Sequence, residues 1–234
     1  MPPVAQTPSL QTALILGGAQ GPAYALARAL GDSGVHLLLT DRDAETAQIA
    51  ARSLGQRSAV CDPAKGRDMA KLAYDAADAL GDLDLIVLAL PDSMAPGSST
   101  AMAEGDFTAH LNGQSLPFLH LARHFIPALR ARGRGAVLIL AQLPARGDPW
   151  QDATGAWVAA ATRALAREWA AEGVVINAIT TLRPDPSPLP KFMQSDAGTA
   201  PPPAPEVTQA ALALCRAQGG ATGQVLSFDL GRKD

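Results

Sequence analysis

The chain has 234 residues, 47% of them apolar and 4% aromatic, enough to core one α/β domain over residues 1–234 and too few for two. A formal charge of −3, from 19 basic and 22 acidic side chains, lacks the basic excess of a nucleic-acid surface, so small molecules or protein partners are expected. Cys61 and Cys215 have no C-x-x-C spacing, so neither a disulfide framework nor a zinc site is expected, and a reducing, cytoplasmic compartment fits.

Residues 1–11 read as a loose leader without the basic and apolar blocks of a signal peptide. No apolar run reaches the roughly 18 to 20 residues of a membrane span. Short apolar runs over residues 12–16, 35–40, 58–60, 83–89, 136–140, 174–179 and 224–228 read as strands. Amphipathic stretches over 22–30, 45–54, 67–80, 104–131, 153–171 and 206–216 read as crossover helices between them. That alternation predicts a parallel sheet, and the nearly unbroken apolar runs suit strands covered on both faces. Residues 181–205 break the pattern: Pro184, Pro186, Pro188, Pro190 and Pro201–Pro203 exclude an ordinary helix or central strand, leaving a long loop that covers a ligand or is simply irregular.

After the first strand comes Gly17-Gly18-Ala19-Gln20-Gly21-Pro22-Ala23, opening directly into a helix. Residues without bulk at such a turn let backbone N–H groups and a helix N-terminus come up to a pyrophosphate, and proline fits the first helical turn. The segment resembles the glycine motif T-G-x-x-x-G-x-G of the short-chain dehydrogenase/reductase superfamily, with Leu16 for the threonine and Ala23 for the last glycine. The resemblance continues in order along almost the whole chain. Asp41 ends the second strand where relatives bind adenosine ribose hydroxyls, and Asp62 resembles the residue beside the adenine ring. Asn112, in His110-Leu111-Asn112-Gly113, matches the asparagine of the fourth helix. Residues 162–168 with Val174-Val175-Ile176-Asn177-Ala178 resemble the fifth helix and sixth strand, and Thr222-Gly223-Gln224 with Phe228-Asp229-Leu230-Gly231 the closing strand.

The resemblance implies a Rossmann-type, doubly wound, seven-stranded parallel sheet with helices on both faces, and NAD(P)-dependent oxidoreduction as the family activity. Asp41 would favour NAD by repelling a 2'-phosphate, although Arg42 sits beside it. Counting back from Glu168 and Asn177 puts the superfamily's catalytic Tyr-x-x-x-Lys on Gln151 and Gly155, and its serine on Gln142. Relatives use the tyrosine as acid/base, its pKa of about 10 lowered by the lysine; glutamine has no such proton and glycine no charge. Alignment does not matter here: the chain's tyrosines are Tyr24 and Tyr74, and no lysine lies between Lys71 and Lys191. Where relatives carry N-N-A-G, Leu88-Ala89-Leu90-Pro91 stands, and Thr181-Leu182 replaces their Pro-Gly turn.

These departures predict a catalytically silent subunit supporting an active homologous dehydrogenase in a hetero-oligomer, or self-associating, through the helices over 104–131 and 153–171. The alternatives are an oxidoreductase with a non-standard site built on Asp148, Asp152 or Lys191, and a nucleotide-sensing module. Gly17 and Gly21 serve either a nucleotide or only the tight turn, and Asp41 and Asp62 either a nucleotide or the next helix as caps. Asn112 serves either the site or its own helix. No metal is expected: His120 and His124 lie one helical turn apart without a third ligand. Trp150, Trp157 and Trp169 read as core or interface aromatics.

Overall fold

The computed structural model describes residues 10–91, 100, 102–143, 149–182, 205–216 and 220–230, without the side chains of residues 149 and 151. Seven strands form one sheet: β1 (Thr12–Leu16), β2 (His36–Asp41), β3 (Arg57–Val60), β4 (Leu85–Ala89), β5 (Gly135–Leu143), β6 (Val174–Leu182) and β7 (Val225–Asp229). Their order is β3-β2-β1-β4-β5-β6-β7, and every neighbouring pair is parallel. This is the parallel sheet that the alternating pattern predicts, doubly wound as the resemblance implies.

Helices α1 (Gly21–Asp32), α2 (Ala44–Ser53) and α7 (Pro205–Arg216) cover one face. There Leu26, Ala50 and Val207 meet Ile15, Leu39 and Leu138. The other face carries α3 (Gly66–Leu80), α4 (Glu104–His124), α5 (Ile126–Arg132) and α6 (Pro149–Trp169), whose Leu72, Phe118, Leu129 and Val158 meet Leu16, Ile86 and Ile139. Strands β4, β5 and β6 are therefore buried on both sides, which is why their alternation is apolar on both.

Two expected boundaries move. The helix expected over 104–131 is two helices: Pro127 has no N–H to continue the i→i−4 ladder, and α5 starts afresh at Ile126 with this proline in its first turn. Strands β5 and β6 run past residues 140 and 179 to Leu143 and Leu182, pairing Gln142 with Thr181. Polar side chains disguise these last rungs. The extension carries β5 into the crevice at the C-terminal end of the sheet.

At the opposite end, buried Asp84 accepts from the backbone N–H groups of Gln11 (2.9 Å) and Thr12 (3.3 Å) and pairs with Arg132 (3.1 Å) and Arg134 (3.7 Å). Asn177 ties β7 in place: its Oδ1 accepts from Gln224 N–H at 2.9 Å and its Nδ2 donates to Ala221 O at 3.2 Å. No helix among the described residues is long and apolar enough to cross a membrane.

Candidate active site

Strand order reverses beside β1, which lies between β2 and β4, and a crevice opens at the C-terminal ends of strands placed this way. The glycine turn crosses it. Gly17 has φ +71°, and a Cβ there would come within 3.0 Å of Ala89 O; at Gly18 a Cβ would meet Ile15 Cγ2 at 2.5 Å. The Gly18 N–H donates to Thr40 O at 3.0 Å, holding the turn over β2. Gly21, at φ +59°, starts α1; Gln20 gives no side-chain cap, and Pro22 occupies the first turn. The first amides of α1 thus open on the crevice.

Asp41 lies half-buried at the end of β2, its Oδ1 accepting from Asp43 N–H at 3.1 Å. The cap of α2 is Asp43, not Asp41: its Oδ2 accepts from Thr46 N–H at 2.7 Å, and the Thr46 side-chain hydroxyl first, then this backbone bond, hold its carboxyl below the usual value. Asp62 accepts from Ala64 N–H at 3.1 Å and from Lys65 Nζ at 3.4 Å, shaping the turn after β3.

The tip of β5 sends consecutive side chains to opposite faces. Gln142 points to α1, and a Cβ on Gly21 would lie 2.7 Å from its Nε2. Leu143 points to α6, where its Cδ1 lies 2.8 Å from the place of a Cβ on Gly155. Thr181, the register partner of Gln142, is buried, and its hydroxyl has no partner among the described residues.

Across the crevice, the α4 side chain buried at the site is Gln114, whose Nε2 donates to Pro91 O at 3.0 Å and holds the chain after β4. Asn112 is exposed on α4. Helical spacing carries the signal that motif matching missed: residues 114, 118 and 121 share the buried face, and 112 does not. One turn before Gln114, His110 Nε2 lies 2.9 Å from Thr154 Oγ1 on α6. His120 is buried with Nδ1 2.9 Å from Pro63 O, and its ring centre is 6.4 Å from that of His124. No group of three metal-ligating side chains occurs among the described residues.

Neither tyrosine turns toward this constellation: the Tyr24 hydroxyl bonds Ser53 on α2 at 2.7 Å, and Tyr74 is 79% exposed on α3. Asp152 is exposed in the first turn of α6, while Asp148, Lys191 and the Gln151 side chain lie outside the described residues, as does most of the proline-rich stretch. The tryptophans pack: Trp169 in the core, Trp150 against Phe107 at 4.7 Å and Trp157 edge-on to Phe118 at 4.8 Å.

Residues 17–233 match the family model described as Enoyl-(Acyl carrier protein) reductase. The chain belongs to the short-chain dehydrogenase/reductase superfamily. It is 30% identical, over 71% of this chain and 68% of the relative, to galactitol 2-dehydrogenase (L-tagatose-forming) of Cereibacter sphaeroides. It is 28% identical, over 78% and 76%, to 4-formylbenzenesulfonate dehydrogenase of Comamonas testosteroni. Among solved structures it resembles, with TM-score 0.81 and 20% identity over 96% of this chain and 98% of the other, the NADPH-bound short chain oxidoreductase of Pseudomonas aeruginosa containing an atypical catalytic center. The glycine turn and α1 N-terminus stand at the crevice of this sheet, and the fold is shared by a 3-ketoacyl-(acyl-carrier-protein) reductase of Brucella melitensis complexed with NADH, 22% identical with TM-score 0.79 over 93% of this chain and 96% of the other.

Proposed function

We propose that this superfamily member is a catalytically silent subunit that supports an active homologous dehydrogenase in a hetero-oligomer. One observation carries the reading: the side chain of Leu143 packs on the turn of α6 where the superfamily lysine would grow from position 155. The chemistry is thus replaced by packing. Gln142 and Gln151, at the serine and tyrosine positions, supply no titratable proton, and no tyrosine in the chain stands elsewhere in the site.

The same reading gives α4 and α6 to a partner. Leu111 and Leu119 are exposed on α4, 46% and 42%, and Trp157, edge-on to Phe118 of α4, is exposed on α6, with Ala153, Ala156, Ala160 and Ala164 also outward. Apolar side chains among alanines allow two helix pairs to approach closely across a two-fold or pseudo-two-fold axis. A homologous subunit offers the matching surface. Two unpaired thiols suit the cytoplasm, where such a complex would work.

The fit to NAD is divided: the glycine turn, α1 amides and Asp41 suit the adenosine end, whereas Gln142 lies over Gly21 at the turn, and Leu90 and Pro91 stand where relatives carry close-approach residues for the nicotinamide. Affinity purification of the full chain from its source cells tests the reading. A stoichiometric homologous subunit with an intact Tyr-x-x-x-Lys is the expected result; a homo-oligomer that turns over an alcohol or carbonyl substrate with NAD(P) would overturn it.

A second reading is an oxidoreductase with a non-standard centre, for which the bonded pair His110 and Thr154, one turn from Gln114, supplies the supporting geometry. Turnover abolished by His110→Asn, with the fold intact, is what this reading requires.

A further inference from the structure

We infer that the carboxamide of Gln142 is a built-in stopper on the glycine turn, so that this chain takes adenosine monophosphate-type ligands and gains nothing from the remainder of a nicotinamide dinucleotide. The inference rests on the divided fit proposed above and adds a residue and a ligand class to it.

Each glycine of the turn is pressed by protein, but by different kinds of atoms. Gly17 lies against the Ala89 carbonyl and Gly18 against Ile15, contacts with backbone and core that belong to the packing of the turn itself. Gly21 lies against Gln142, the end of a flexible side chain delivered from β5. In dinucleotide-binding turns this second glycine is bare so that the pyrophosphate can come down onto the backbone. With Nε2 2.7 Å from the place of a Cβ, the amide lies over this glycine, and a phosphate coming down onto the backbone would have to displace it. Position 21 is glycine, and the space it clears is used by the chain's own amide.

The other end is open. Asp41 uses Oδ1 for Asp43 N–H, and among the described residues no bond engages Oδ2, which suits it to a ribose hydroxyl. On this inference a ligand ending at the 5'-phosphate stops short of Gly21, whereas a dinucleotide passes over it.

The test is calorimetric titration of the full chain and of Gln142→Ala with AMP and with NADH. The expected result is that the wild-type protein binds NADH no more tightly than AMP, and that Gln142→Ala raises the NADH-to-AMP affinity ratio by about tenfold or more. A smaller rise, or no binding of either nucleotide to either protein, overturns the inference. Gln142→Asn, which keeps the amide but shortens its reach, should fall between the two, and equal melting temperatures certify that the fold is unchanged. A homologous subunit that copurifies while the ratio stays fixed sinks the stopper alone; a ratio that moves in a chain without a partner sinks the subunit reading alone.

Discussion

His110 Nε2 donates a hydrogen bond to Thr154 Oγ1 at 2.9 Å, because the Thr154 hydroxyl spends its own proton on Trp150 O at 2.8 Å. The bond joins α4 to α6 through a buried hydroxyl and sets which imidazole nitrogen carries hydrogen.

Two threonines on one helix should therefore answer the same substitution with opposite signs. Thr154→Val removes the hydroxyl partner of His110 Nε2 and should cost about 1 to 2 kcal/mol in denaturant unfolding. Thr162, two turns on and fully buried, has no partner for its hydroxyl among the described residues, so Thr162→Val should be neutral or stabilising by up to about 1 kcal/mol. Equal losses from both would mean that the hydroxyl bond contributes nothing.

Asp84→Ala should be among the most damaging single changes away from the crevice. It removes the carboxylate that accepts from the amides of Gln11 and Thr12 and takes from Arg132, only 15% exposed, its buried partner. Loss of one member of such a cluster costs roughly 3 kcal/mol, visible as a lower urea midpoint with an unchanged slope.

Burial pushes the Cys61 and Cys215 thiols up from 9.0 to about 12; the charges of Asp68 and Asp62 add to the effect at Cys61, while Arg216 opposes it at Cys215. The folded state holds these protons more tightly than the unfolded chain. The resulting stability is complete below pH 9 and declines as pH rises from 9 toward 12. At about pH 8.5 both thiols should resist a thiol reagent in the native protein and react promptly in guanidinium. Fast native reaction at either site would contradict its burial.

Gly155→Lys should be tolerated poorly alone and better beside Leu143→Ala, because the new Cβ meets Leu143 Cδ1. The double-mutant cycle reads this coupling: melting temperatures that simply add would show that Leu143 does not occupy the site.

Much of the fold was legible because its evidence is local. Apolar runs through β4, β5 and β6 mark strands covered on both faces, and the Gly17–Gly21 turn marks the first crossover. The break at Phe125 was less legible, since α4 keeps Pro117 inside it while Pro127 starts a new helix; a proline alone does not say which. At the site, Gln114 was hidden behind the familiar motif around Asn112, although helical spacing from Phe118 and Leu121 points to it. The contacts of Gln142 with Gly21 and Leu143 with Gly155 had no local signature. They arise where a strand extended by polar rungs meets two helices distant in sequence, and only the sheet brings those partners together.

Because adjacent residues on a strand look in opposite directions, two neighbouring codons in β5 govern two separate affairs: what can lie upon α1 and what can grow from α6. Placing a tyrosine and a lysine on α6 leaves both contacts in place. On the silent-subunit reading proposed above, hydride chemistry in this chain would have to be built from the sheet outward, with the helix following.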